Sequence, residues 1–177
     1  MTNEHNNLVI RVARDTDRAA IAALQADSWR SAYRNILPSE YLGEPVGLEL
    51  ANHWAGLEIT SNDVVMVAEF NDEIVGFISI WCRPEPYIDN FHTKPEFKHR
   101  GIGSNLLVRA AEQLLQLGQK TAHLWVIQTN LPAKKFYERM GGKVTESADR
   151  AMFDHVVASY KIEWPDLAAL PAPVEFR

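Results

Sequence analysis

The segment Lys98-His99-Arg100-Gly101-Ile102-Gly103-Ser104 sets two glycines and two cations at the head of an apolar repeat, Ile102, Leu106, Ala110, Leu114 and Leu117, that recurs about once per helical turn. A glycine turn that opens a helix aims unpaired backbone N–H groups at one point, and the helix dipole adds positive potential there. The chemistry on offer is the grip of a phosphate or diphosphate. Glycines at 101 and 103 keep Cβ atoms out of the anion's path. The dipole is worth only about 0.3–1 kcal/mol, so the N–H groups and the flanking Lys98 and Arg100 must supply most of the grip. A Gly-x-Gly turn also occurs in ordinary loops. Two better-defined phosphate patterns are missing: Leu106 stands where a dinucleotide fingerprint needs a third glycine, and no Gly-Lys-Ser/Thr occurs.

The elements that must position this turn can be read from the flanking periodicity. Leu8 to Val12 is a short β-type run, followed by a helix carrying Ile21, Leu24 and Ser28 with Asp15 or Thr16 as its N-cap. A second helical stretch lies between Pro38 and Leu57, after the aromatic-rich segment of Trp29, Tyr33 and Tyr41, which is expected to form a pocket wall. Val64 to Ala68 and Ile74 to Trp81 flank Asn71-Asp72-Glu73 as a hairpin. Tyr87 to Thr93 is extended and ends at Lys94-Pro95. After the helix opened by Gly101 and stopped at Gly118 come a strand at 121–126, a helix from Leu131 to Met140 ended by Gly141-Gly142, and a closing strand from Val156 to Ile162. This order predicts an α/β domain with a mixed sheet and helices on both faces. The expected domain spans residues 8–163, and the proline-containing stretch 164–177 is either a tail or a strap over a neighbouring surface.

Composition narrows the class. A chain of 177 residues with 46% hydrophobic and 23% charged residues suits one soluble domain. No run approaches the roughly 18 apolar residues of a membrane span, and Met1 to Asn7 is polar, so a cytoplasmic location without membrane contact is expected. The sole cysteine, Cys82, lies in an apolar run and reads as a small core residue. A net charge of -5 argues against a nucleic-acid surface and mildly favours a cationic small molecule.

The turn and its preceding strand, Phe91-His92-Thr93-Lys94-Pro95 then Lys98-His99-Arg100-Gly101-Ile102-Gly103, resemble the central motif of the GNAT-type N-acetyltransferases, Leu-x-Val-x-Pro followed by Gln/Arg-x-x-Gly-x-Gly/Ala. Lys98 and Thr93 depart from it without removing a backbone N–H. A second block, Leu124 to Gly142, is similar to that family's Leu-x-Val-x-x-x-Asn-x-x-Ala-x-x-Phe-Tyr-x-x-x-Gly-Phe, with only Gly142 in place of an aromatic. The resemblance covers about residues 8–163. It implies the GNAT-type fold, with six to seven mixed strands and about four helices on both faces.

It also implies acetyl-CoA as co-substrate, no metal, and transfer of the acetyl group to the amine of a small molecule or peptide by direct attack in a ternary complex. Coenzyme contacts are expected from Phe91, His92, Thr93, Lys98, His99, Arg100, Gly101, Ile102, Gly103, Ser104, Asn130, Ala133 and Tyr137. The backbone N–H of Thr93 or its neighbour would hold the oxyanion. Tyr137 would protonate the departing sulfur, the alternative being a packed ring whose hydroxyl caps a buried polar group. Asp89 is the candidate base, since alternation would put Tyr87, Asp89, Phe91 and Thr93 on one face with His92 on the other. Asn130 would bind the pantetheine arm, cap the next helix, or both. Trp29, Tyr33 and Trp125 would line the acceptor pocket. A homodimer stays open, as do a non-catalytic acyl-CoA sensor or scaffold and transfer of a longer acyl group.

Overall fold

Runs rich in valine and isoleucine form the middle of the molecule as strands, because branched side chains pack well on a pleated surface. The computed structural model describes residues 7–177, so the polar opening noted above lies, up to residue 6, outside the described residues. Seven strands, β1 (Leu8–Val12), β2 (Val64–Phe70), β3 (Glu73–Cys82), β4 (Pro86–Thr93), β5 (Ala122–Ile127), β6 (Lys143–Met152) and β7 (His155–Trp164), form one sheet in the order β1-β2-β3-β4-β5-β7-β6. Neighbours are antiparallel except β4 and β5, which run parallel. Five helices accompany them: α1 (Arg18–Ala32), α2 (Ser39–Leu42), α3 (Glu44–Gly56), α4 (Ile102–Gln116) and α5 (Leu131–Arg139). Helix α4 makes the crossover that parallel strands require.

The expected mixed sheet with helices on both faces is thus present. The helical stretch 38–57 divides at Gly43, with Pro45 in the first turn of α3, where its missing N–H costs nothing. At the start of α1 a 3-10 turn, Asp15–Asp17, replaces the expected cap, and the Asp17 carboxylate accepts the Arg14 N–H at 2.6 Å. Asn71 and Asp72 both take positive φ, as a two-residue hairpin turn needs, and Glu73 already belongs to β3.

Two cores sandwich the sheet. Ile21, Leu24, Val46, Leu50 and Trp54 of α1 and α3 pack on Val65, Val67 and Phe77. The apolar stripe of α4 packs on the opposite face against Val64, Met66, Ile78, Ile80, Ile88 and Ile162. Central strands buried on both sides carry continuous apolar runs, as Val64 to Ala68 does.

A polar chain crosses the first core. The Trp54 indole N–H donates to Gln25 Oε1 at 2.6 Å, Gln25 Nε2 donates to Asn90 Oδ1 at 2.8 Å, and Asn90 Nδ2 donates to Ser79 Oγ at 3.0 Å and to Asp89 Oδ2 at 3.1 Å. Gln25, Asn90 and Ser79 are all buried. Gln25→Leu strands the indole N–H and the Asn90 carbonyl, and unpaired buried groups cost about 1–3 kcal/mol each. The expected loss is roughly 2–4 kcal/mol, read as a lower urea midpoint with an unchanged slope; a midpoint equal to wild type would show that the chain carries no stability.

Candidate active site

The turn ahead of α4 is built from alternating backbone hands. His99 has φ 63 and Gly101 φ 88, and such alternation makes successive N–H groups converge on one concavity. The first helical bond of α4 runs from Asn105 N–H to Gly101 O at 3.1 Å, so the amides of Ile102, Gly103 and Ser104 have no partner within the helix. The Ile102 side chain is buried in the core, which leaves its N–H as the group available to a ligand. Lys98 and His99 are exposed beside the turn.

Residues 170–177 are a strap laid over this turn. Val174 N–H donates to Ser104 Oγ at 2.9 Å, and Asn105 Nδ2 donates both to Val174 O at 2.9 Å and to Gly101 O at 2.8 Å. The carbonyl oxygens of Val174 and Glu175 sit 2.7 and 3.0 Å from where a Cβ on Gly101 would be. A Cβ on Gly103 would lie 3.2 Å from the Phe136 ring. Both glycines are therefore demanded by the protein's own packing as well as by an anion's approach.

The strap also engages Arg100. The Arg100 guanidinium lies 4.8, 5.2 and 5.6 Å from the ring centres of Phe176, Phe97 and Phe70, and its Nε donates to Arg177 O at 2.6 Å. Stacking and a carbonyl partner hold it on the strap, while Lys98 stays exposed beside the turn.

Behind the turn, β4 and β5 part. Their only ladder pair is Tyr87 with His123, after which the two strands diverge. Lys94 N–H donates to Val75 O at 2.8 Å, which sets the phase of the β3–β4 ladder: His92 points its backbone groups at β3, while Phe91 and Thr93 point theirs into the gap. Those two N–H groups are the donors that β5 would have taken had the strands stayed paired.

A bulge overturns the expected alternation in β4. Ile80 pairs with Ile88 and Ser79 with Asn90, so Asp89 is an extra residue without a partner on β3. Tyr87, Asp89, Asn90 and His92 consequently lie on the α1/α3 face, and Ile88 and Phe91 on the α4 face. Asp89 and His92 share a side, and Asp89 and Phe91 do not. The His92 ring stands 5.4 Å from Phe77; burial, with Lys98 adding, pushes its pKa down to about 4, so it is neutral near pH 7. Asp89 is exposed, and its Oδ2 accepts from Trp81 Nε1 at 2.9 Å and from Asn90, leaving Oδ1 without a protein partner among the described residues.

Tyr137 comes from α5 on the other side of the gap, its ring 6.1 Å from Phe91, 5.5 Å from Phe136 and 5.9 Å from Trp164. Among the described residues no buried side-chain nitrogen or oxygen, the Tyr137 hydroxyl included, is left without a partner. Burial, with the Tyr33 phenol adding, raises the Tyr137 pKa well above the ordinary tyrosine value. Asn130 caps α5, its Oδ1 accepting the Ala133 N–H at 3.3 Å, so that amide is occupied.

On the α1/α3 side Trp29 and Tyr33 stand 5.5 Å apart, and the tip of the β6–β7 hairpin joins them. Phe153 stands 5.3 Å from Trp29, 6.2 Å from Tyr33 and 6.3 Å from Tyr41. Trp125 is covered by the Arg150 guanidinium at 4.4 Å. Tyr87 stacks 5.3 Å from His123 at the narrow end of the gap. Phe153 and Arg150 escaped sequence reasoning because β6 is almost wholly exposed and shows no alternation. Among the described residues no group of three or more His, Cys, Asp or Glu is gathered as a metal site would be, and no helix is long and apolar enough to cross a membrane.

Unpaired amides, a flanking lysine and a widening strand gap fit a ligand with an anionic head and a slender arm. The chain is 28% identical to an uncharacterized N-acetyltransferase, YuaI, of Bacillus subtilis (strain 168), over 92% of this chain and 96% of that protein. It is 24% identical to a spermidine N(1)-acetyltransferase of Thermoplasma acidophilum, over 80% and 91%. The structure of the PaiA N-acetyltransferase from Thermoplasma acidophilum in complex with coenzyme A superposes with a TM-score of 0.68, covering 89% of this chain and 98% of that one at 22% identity. The model of the acetyltransferase (GNAT) family matches residues 21–142. With more than half of its length matched by that model, the chain belongs to the GNAT family of acetyl-CoA-dependent N-acetyltransferases.

Proposed function

We propose that the chain moves the acetyl group of acetyl-CoA to the amine of a small molecule or peptide by direct attack, both substrates being bound together. The observation that carries this reading is the parting of β4 from β5 directly upstream of the phosphate turn, with the Phe91 and Thr93 amides aimed into the gap. The amides of Ile102, Gly103 and Ser104 and the Lys98 ammonium hold the diphosphate, which lays the pantetheine arm along the open edge of β4. The Phe91 and Thr93 N–H groups then stabilise the negative charge that develops on the thioester oxygen, a contribution typically worth ~10²–10³ in rate per donor.

The attacking amine must lose a proton. Asp89 Oδ1 accepts it directly or through water, because its other oxygen is pinned by Trp81 and Asn90. As the carbon–sulfur bond breaks, the Tyr137 hydroxyl gives its proton to the sulfur. The relative that acts on spermidine supports a small amine as acceptor.

Lys98→Ala is expected to weaken acetyl-CoA binding about tenfold by calorimetry, and Arg100→Ala to leave it within about twofold, since one charged hydrogen bond is worth roughly 1.5 kcal/mol or more. Equal losses in the two variants would return Arg100 to the phosphate site. Gly101→Ala is a poor probe of that site, because φ 88 and the Val174 carbonyl strain it with or without ligand.

Tyr137→Phe should lower kcat by about 10²-fold with unchanged acetyl-CoA affinity; full turnover in this variant would take Tyr137 out of the reaction. The raised phenol pKa also fixes a pH dependence. Tyr137 keeps its proton through neutral and mildly alkaline conditions, so turnover should show no alkaline fall from this group up to about pH 10. An alkaline limb below that value, absent in Tyr137→Phe, would show that the phenol pKa is not raised.

A further inference from the structure

Across the gap from Asp89 stands a cation with no acidic partner. Asp89 lies two residues beyond Tyr87 on β4 and Trp125 two beyond its partner His123 on β5, both on the α1/α3 face, so the two stand on the strands that bound the gap. The Arg150 guanidinium stacks on Trp125 at 4.4 Å, and among the described residues no carboxylate lies within 4.0 Å of it. Stacking engages the flat face of a guanidinium and leaves its N–H edge free, and that edge matches a carboxylate bidentately. Arg150 is held in this position from both ends. Its strand, β6, pairs with β7, and the Phe153 tip is seated among Trp29, Tyr33 and Tyr41.

The Tyr87 phenol, between Asp89 and Arg150 in the chain's fold, is pushed up by burial and by Asp89 and pulled back by Arg150, in keeping with that placement. One bank of the gap therefore offers a free carboxylate oxygen and the other a free guanidinium edge, with tyrosine and tryptophan rings between them.

We propose that the acceptor is an amino-acid-type molecule, its reacting amine placed at Asp89 and its carboxylate held by Arg150. The proposal rests on the reading of the gap as the site of amine acetylation. A polyamine would bring a second ammonium against Arg150, and like charges across a site are a standard means of rejecting a ligand. The assignment thus separates this chain from its spermidine-acetylating relative, although both share the fold.

The test uses matched pairs that differ only by the carboxylate: lysine with cadaverine, ornithine with putrescine, phenylalanine with phenethylamine. Thiol release from acetyl-CoA gives turnover, and calorimetry on the enzyme saturated with CoA gives acceptor binding without turnover. The wild-type enzyme is expected to prefer the carboxylate-bearing member of at least one pair by tenfold or more in kcat/KM and to bind it more tightly. Arg150→Gln should collapse that preference to within about twofold, through KM, and Arg150→Lys should keep part of it. Acetylation of the decarboxylated amines as well as or better than the amino acids in every pair overturns the proposal and leaves the acetyltransferase reading standing. A preference that survives Arg150→Gln also overturns it. Tight amino-acid binding with no acetylation of any amine overturns the acetyltransferase reading, and the acceptor assignment with it.

Discussion

One extra residue in β4 governs the chemistry of the molecule. Between the pairs Ser79–Asn90 and Ile80–Ile88 the strand carries Asp89 as a surplus, and the strand twists more strongly there. Upstream of the bulge β4 still meets β5 at Tyr87; downstream it has left β5 and runs into the turn that opens α4. The backbone groups that this parting leaves without strand partners would be a liability in a closed sheet. Here they face the gap between β4 and β5. A bulge therefore does in one place what would otherwise need several polar side chains, and the donors it supplies are fixed by the ladder with β3 and need no rotamer to be chosen.

A bulge this consequential must be held in register, and the first core contains the means. The chain of hydrogen bonds from Trp54 through Gln25 to Asn90 ends on the Asp89 carboxylate. Each member has one orientation that satisfies its neighbours, so the buried amides point the carboxylate as well as stabilise the fold. Trp81 clamps the same oxygen from β3. On the opposite face the Tyr137 ring is packed among the rings of Phe91, Phe136 and Trp164. The two sides of the gap thus use different physics, directional bonds for Asp89 and packing for Tyr137.

What could be read from the chain alone was whatever depends on near neighbours. The apolar stripe from Ile102 to Leu114, the hairpin at Asn71-Asp72 and the proline-opened helix at Leu131 are all written in spacings of two or three and four, and all are found. The turn residues were legible for the same reason. The face assignment of β4 was not, because alternation of period two holds only while the pairing is regular, and a bulge is a property of two strands. The contacts of Arg100 were not legible because Phe70, Phe97 and Phe176, which engage it, come from three separate places in the chain. Strand β6 escaped because, at the sheet edge, its solvent-facing residues have no reason to alternate, and Arg150 and Phe153 went unnoticed with it.

The strap gives the glycine turn a second master. Gly101 has no room for a methyl group because carbonyls of residues 174 and 175 stand where it would be, and Gly103 is pressed by Phe136. As such sequences diverge, the turn and the far end of the chain are not free to drift separately. A lineage that rerouted residues 170–177 would lose one of the pressures keeping glycine at 101 and would release Arg100 to acquire another task. The motif is in this sense an inheritance shared between ligand and tail.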